Sequence, residues 1–184
     1  MTYIPTGTEL IDPFKVLEAA GIKSGMRVAD FGCGTLGHYV FPAAHQVGPS
    51  GKVFAVDILK SVLNGVESKI KMDGVANVES VWGDIERPNG VTIPDNSLDL
   101  GLLINNLFMS SQKAAMMKEC VRMVKPGGTF VVVDWKPAGV NFGPDPKLKV
   151  TPEEAKALAT GAGLKIEKDF EPGQYHYGFV CTKP

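Results

Sequence analysis

The chain has 184 residues, a length that suits one domain with a substantial core. Its formal net charge of −1 gives no electrostatic reason to expect nucleic acid or an anionic membrane as a partner. Its three cysteines and three histidines show neither metal-ligand spacing nor a disulfide pattern, so we expect a cytoplasmic protein that needs no metal. No apolar run approaches the length of a membrane span, and the first 14 residues lack the features of a secretory signal.

A helix is predicted before the first strand. Asp12 and Pro13 are the residue types of an N-cap and a first helical position, and Gly21 ends the helix, so residues 1–25 form an N-terminal helical segment. Strands and helices then alternate. The predicted strands are 27–31, 52–57, 78–82, 98–104 and 129–135, and the predicted helices are 38–47, 60–71 and 112–124. Lys125-Pro-Gly-Gly128 is expected to separate the last of these helices from its strand.

The last part of the chain begins with a Pro/Gly-rich connection, residues 136–150, which is a candidate lid loop. Its basic pair Lys147/Lys149 is interpreted as a solvated face. Thr151-Pro-Glu-Glu154 has the residues of a capping box, and strands 164–170 and 175–182 follow the helix as a hairpin around Pro172-Gly173. The pattern predicts a single α/β domain over residues 1–184, a three-layer sandwich whose seven-stranded sheet is mostly parallel with the last strand antiparallel.

Glycines crowd the turn after the first strand. Gly32, Gly34 and Gly37 fall within six positions, between an apolar run and a predicted helix. Such a turn places bare backbone N–H groups at a helix N-terminus and lets a ligand approach the main chain closely. The stretch therefore predicts a cradle for a small molecule.

Two carboxylates lie at the ends of the next two strands, at the sheet edge where ligands of open α/β sheets bind: Asp57 is the last residue of strand 52–57, and Asp84 comes just after strand 78–82. Asp57 suits a ribose diol, and Gly-x-Gly-x-x-Gly also matches the dinucleotide fingerprint. A nicotinamide-dependent oxidoreductase and a non-catalytic nucleoside-binding protein therefore stay open as alternatives. Three features favour another nucleoside ligand: the leading helix, the position of Asp84 for an adenine amino group, and Asp30, whose charge suits a cationic ligand better than a pyrophosphate.

The stretches Asp30-Phe-Gly-Cys-Gly-Thr, Val56-Asp57, Gly83-Asp84-Ile85 and Val124-Lys-Pro-Gly-Gly128 resemble the motifs of class I S-adenosylmethionine-dependent methyltransferases. The chain is similar to the small members related to the ubiquinone/menaquinone-biosynthesis methyltransferases, although Leu36 stands where the family often has a third glycine. This resemblance implies a Rossmann-like fold, S-adenosylmethionine as cofactor, and in-line methyl transfer to a small-molecule acceptor. The cofactor-binding residues that it implies are Asp30, Gly32, Cys33, Gly34, Asp57, Ile58, Gly83, Asp84, Ile85 and Asn105.

The acceptor side is less defined, because methyl transfer from a sulfonium mainly requires alignment and needs a base only for some nucleophiles. His176 and Asn106 are the candidate catalytic residues, with an exposed strand position and a turn as their alternative roles. Asn105-Asn-Leu-Phe108 lacks the signature of nucleic-acid amino-methyltransferases, so no nucleic-acid substrate is expected. We expect a monomer or homodimer whose site either stays open to its substrate or is covered by residues 1–12 and 136–150 or by a partner subunit.

Overall fold

A seven-stranded sheet forms the centre of the computed structural model, which describes residues 10–137 and 142–184. The strands are β1 Arg27–Phe31, β2 Lys52–Asp57, β3 Val78–Trp82, β4 Leu98–Ile104, β5 Val124–Trp135, β6 Lys165–Gly173 and β7 His176–Thr182. The helices are α1 Pro13–Ala20, α2 Val40–Val47, α3 Lys60–Asp73, α4 Lys113–Met123 and α5 Pro152–Gly161, with a short 3₁₀ helix at Leu107–Met109. No helix in the described ranges is long and apolar enough to cross a membrane.

The strand order is β3-β2-β1-β4-β5-β7-β6, and β7 runs antiparallel to both of its neighbours. Side chains alternate across the sheet: Val131 and Val133 join the apolar cluster of α1–α3, whereas Phe130 and Val132 join that of α4 and α5. The predicted α/β sandwich, with a mostly parallel seven-stranded sheet and an antiparallel last strand, is confirmed.

Local sequence signals place several element boundaries correctly. The Asp12 side chain accepts the N–H of Phe14 at 2.9 Å, and Gly21 closes α1 in the left-handed conformation. Both hydrogen bonds of the capping box between Thr151 and Glu154 are present at the start of α5.

Several element boundaries differ from prediction, three of them in segments that carry a glycine or Pro-Gly motif. The helix after the glycine turn begins at Val40 rather than at residue 38, because residues 34–39 form turns. Lys125–Gly128 lies inside β5, where the partners shift from Leu98↔Val124 to Leu100↔Thr129, so the segment is a bulge and not a break. The turn of the last hairpin lies at residues 174–175, and Pro172-Gly173 belongs to β6.

Candidate functional site

A cavity of about 470 Å³ opens at the carboxyl edge of β1 to β4. Most of the predicted site residues line it, namely Gly32, Gly34, Asp57, Ile58, Gly83, Asp84, Ile85 and Asn106. Sequence reasoning missed other lining residues, among them Leu59, Val62, Glu86, Met109, Ser110 and Met116. Its volume and mostly apolar wall with a few polar groups are typical of a small-molecule site.

The glycine turn packs against a neighbouring side chain on one side and faces open space on the other. Gly32 has φ +71°, and a Cβ there would overlap the side-chain amide of Asn106. Gly34 has φ +67°, and a Cβ there would meet nothing within 4 Å. The N–H groups of Gly32 and Cys33 both donate to the carbonyl oxygen of Val56, which fixes the turn beside β2.

Asp57 joins this turn to the start of α3. One carboxylate oxygen accepts the N–H of Gly34 at 3.3 Å, and the other accepts the N–H of Leu59 at 2.9 Å. Each carboxylate oxygen can accept a further hydrogen bond. A half-buried acceptor of this kind on the cavity wall can bind a pair of neighbouring hydroxyl groups.

Asp84 is oriented by its own loop. Its carboxylate accepts the N–H of Glu86 at 2.9 Å and pairs with the guanidinium Nε of Arg87 at 3.0 Å. The apolar side chains of Ile58 and Ile85 line the same part of the cavity, where they can contact a flat ring.

A buried ion pair holds the loop after Asp84 onto α4, and no sequence motif indicated it. The Glu119 carboxylate accepts the N–H groups of Asn89 and Val91 and two hydrogen bonds from the Arg122 guanidinium. Burial alone would raise the pKa of Glu119, but these hydrogen bonds lower it below its usual value. The carboxylate is therefore held ionised.

Asp30 lies beneath the glycine turn and does not line the cavity. It is 2% exposed, and its Oδ2 has no hydrogen-bond partner among the described residues. Burial, and secondarily the charge of Asp57, raises the pKa of Asp30 to about 7. Cys33 is also buried and does not line the cavity, and burial together with the nearby carboxylates raises its pKa. Positive charge near Asp30 would favour its ionised form.

The two asparagines after β4 differ in their surroundings. Asn105 has φ +57°, and its side-chain oxygen is buried without a partner in the described part of the chain. Asn106 donates from its amide nitrogen to the carbonyl oxygens of Phe31 at 2.9 Å and Ile104 at 2.8 Å. Both of its N–H donors are thus used to join the ends of β1 and β4.

His176 lies away from the cavity. It is fully buried, so the alternative of an exposed strand position is wrong, and its ring centroid lies 4.2 Å from that of Trp135. Burial lowers the pKa of His176 to about 4. The backbone carbonyl group of Leu10 acts in the opposite direction. Neither ring nitrogen has a hydrogen bond of good geometry within the described residues. The imidazole is therefore neutral at pH 7.

The residues proposed to cover the site are only partly described. Residues 1–9 and 138–141 lie outside the described ranges. Of the candidate lid loop, Phe142 packs against Trp135 and Tyr175, and Lys149 lies over the Trp135 ring. The described part of the loop thus contacts the end of β5, and none of its residues lines the cavity. Within residues 10–137 and 142–184, no group of three or more His, Cys, Asp or Glu side chains is placed to hold a metal ion.

Known proteins share this architecture. A family model described as a methyltransferase domain matches residues 22–171. The ubiquinone/menaquinone biosynthesis C-methyltransferase of Pseudomonas putida is 31% identical over 162 residues, which cover 86% of this chain and 59% of that protein. The demethylmenaquinone methyltransferase of a Geobacillus species is 30% identical over 118 residues, which cover 64% of this chain and 49% of that protein.

Among solved structures, a SAM-dependent methyltransferase from Aquifex aeolicus aligns with a TM-score of 0.89 and 29% identity, over 98% of this chain and 94% of that one. This chain spans about half the length of the curated relatives it matches. The family model nevertheless covers most of the chain, including the glycine turn and both cavity carboxylates. The chain therefore belongs to the methyltransferase domain family.

Proposed function

We propose that the cavity binds S-adenosylmethionine and that the protein transfers its methyl group to a small-molecule acceptor. One observation carries the proposal: the carboxylates of Asp57 and Asp84 converge with the bare backbone of Gly34 on one apolar cavity. A nucleoside needs a diol acceptor at one end and a polar group beside its base at the other, and this cavity offers both. The Aquifex aeolicus relative, described as SAM-dependent, supports the same cofactor.

Asp57 would bind the ribose hydroxyl groups, and Asp84 would accept from the adenine amino group. Ile58 and Ile85 would contact the two-ring base, whose burial against apolar side chains contributes about 25 cal/mol per Å². The turn at Gly32 and Gly34 leaves room for the amino-acid part of the ligand to lie close to the main chain.

The buried Asp30 distinguishes this ligand from a dinucleotide. A pyrophosphate would bring two more negative charges toward Asp30 and Asp57, and the charge of Asp57 already disfavours the ionised form of Asp30. A ligand with a sulfonium and an ammonium group would instead stabilise both carboxylates. The same argument makes the nicotinamide-dependent oxidoreductase the weaker alternative.

The chemistry that this cofactor supplies when bound is an activated methyl group, whose S–C bond breaks as the acceptor's nucleophilic atom attacks in line. The protein's share of the work is to hold both reactants aligned and exclude water, which is worth about 7–11 kcal/mol when the geometry is good. Asn106 would position the glycine turn and keep its side-chain oxygen available to a ligand. We keep His176 as the proposed general base, because burial leaves its ring neutral and therefore able to accept a proton. The same burial keeps the ring from bulk solvent.

We further infer that residues 1–184 form one domain of a cytoplasmic enzyme, a monomer or homodimer, whose acceptor is not a nucleic acid. The near-neutral net charge supports the last point, and the three free, buried cysteines suit a reducing compartment. Transfer of labelled methyl groups to a panel of small acceptors tests the activity directly. We expect transfer that Asp57→Asn suppresses; cofactor binding with no transfer to any acceptor would favour the non-catalytic alternative.

A further inference from the structure

A second concave surface lies beside the cofactor cavity. This basic groove is formed by Lys113, Lys147, Leu148, Lys149, Val150 and Leu158 and has a volume of about 590 Å³. Lys113 begins α4 and Lys149 lies just before α5, and both helices start at the sheet edge that carries the cavity. The Lys113 ammonium donates to the carbonyl oxygen of Ser110 at 2.7 Å, and Ser110 itself lines the cavity. The groove is therefore adjacent to the site of methyl transfer.

The described lining of the groove carries more positive than negative charge. None of its three lysines forms an ion pair with a described carboxylate. Glu154 also lines the groove, but one of its carboxylate oxygens already accepts the N–H and the hydroxyl of Thr151, at 2.9 and 3.1 Å. The net charge of the lining is still positive.

Lys149 is the most unusual member, and its interpretation as a solvated side chain is wrong. It is only 9% exposed, and its ammonium lies 5.8 Å from the centroid of the Trp135 ring. Its ammonium has no ion-pair partner among the described carboxylates, and a ring face offers a cation only a weak interaction. An anion in the groove would supply the missing partner.

Apart from the three lysines and Glu154, the groove is lined by apolar side chains. Leu148 is 53% exposed at its edge, while Val150 and Leu158 lie deeper. A ligand that places a charged group near the lysines can therefore lay an apolar body on these side chains. This combination fits an organic acid better than a bare inorganic ion.

We propose that the basic groove binds the anionic group of the methyl acceptor, so that the acceptor is a small organic acid with an apolar body. The identification of this ligand as the methyl acceptor rests on the proposed function, whereas the anion site itself does not. Lysine acts as a point charge rather than a planar fork, so a carboxylate and a phosphate monoester are both accommodated.

Calorimetric titration of the whole protein with phenylacetate, phenyl phosphate and the neutral phenylacetamide tests this proposal. We expect one or both acids to bind saturably, at least tenfold more tightly than the amide, with an affinity that falls as NaCl is added. Which acid binds more tightly identifies the anionic group. Lys149→Met and, independently, Lys113→Met should each weaken acid binding at least tenfold. Lys118→Met, an exposed position on the same helix, is the matched control and should change nothing.

Equal affinity for the acids and the amide, no saturable binding of either acid at millimolar concentration, or unchanged acid binding in both groove variants would overturn the proposal. S-adenosylhomocysteine is titrated in parallel into every variant. Its binding should be unchanged in Lys113→Met and Lys149→Met, which also reports that they are folded. If the wild type binds the acids but not S-adenosylhomocysteine, the proposed function fails and the anion site stands.

Discussion

The side-chain amide of Asn106 occupies the space beside Gly32 in which any other residue would place its Cβ. Because the same amide donates to the ends of β1 and β4, this contact ties the glycine turn to the centre of the sheet. The turn is thus held by a side chain that lies just after β4 and follows the turn by about 70 residues.

Gly32→Ala and Gly34→Ala should therefore differ. Both place alanine in the left-handed region, at a cost of about 1–2 kcal/mol, but only Gly32→Ala also crowds Asn106, at a further cost of about 1–3 kcal/mol. Chemical denaturation checks this difference in the free energy of unfolding. Equal destabilisation of the two variants would contradict the packing account of Gly32.

Asp57→Asn should weaken S-adenosylhomocysteine binding by about 1.5–3 kcal/mol, the scale of hydrogen bonds to a charged group. Asp73→Asn, in an exposed ion pair at the end of α3, is the matched control and should leave affinity unchanged. Calorimetry measures both. Unchanged binding in a folded Asp57→Asn protein would refute the assigned role.

The raised pKa of Asp30 predicts that the free energy of unfolding depends on pH. A carboxyl whose pKa rises to about 7 on folding holds its proton more tightly in the folded state, so the ligand-free protein loses stability as pH rises from about 4 to about 7. Asp30→Asn should remove this contribution, and its stability relative to wild type should grow over that interval. A difference between the two proteins that is independent of pH would contradict the raised pKa.

Breaking the buried ion pair of Glu119 should affect both stability and the site. Glu119→Gln removes one of the two carboxylates that pair with the Arg122 guanidinium, the other being Asp95, and should lower the free energy of unfolding by about 1–3 kcal/mol. The loop after Asp84 would loosen, so the affinity for S-adenosylhomocysteine should fall too. Glu67→Gln, where the carboxylate is exposed and accepts the Ser80 hydroxyl, should have a much smaller effect on both measurements.

His176→Gln distinguishes a base from a packing residue. As a base, His176 would determine a limb of the pH profile of kcat/KM, and its replacement would remove that limb while leaving S-adenosylhomocysteine affinity unchanged. As a packing residue against Trp135, its replacement would lower stability and leave the shape of the profile intact. A loss of cofactor affinity would contradict both roles, because His176 does not line the cofactor cavity.

The central sheet could be predicted from the sequence because its strands are short, apolar and bounded by turns. The bounds of β1 to β4 agree with the predicted strands for this reason. The bulge in β5 could not be predicted from the sequence, because the N–H of Gly127 donates to the carbonyl oxygen of Lys183, a residue distant in sequence. Periodicity describes single elements and carries no information on such partners.

The candidate site divides in the same way. Asp57 and Asp84 were predictable because each lies at or just beyond the carboxyl end of a strand, which must lie at the ligand-binding edge. The ion pair of Glu119 and the burial of Lys149 were not predictable, because both depend on how helices and loops pack across the sheet. Charged residues in a sequence are usually solvated, and only the packed structure identifies the exceptions.

The most direct measurement compares two ligands on the intact protein by calorimetry, S-adenosylhomocysteine and NAD⁺. The cavity described above should bind S-adenosylhomocysteine at a single site, with an affinity that Asp57→Asn reduces, and should not bind NAD⁺ at comparable concentration. Binding of NAD⁺ without binding of S-adenosylhomocysteine would contradict the account.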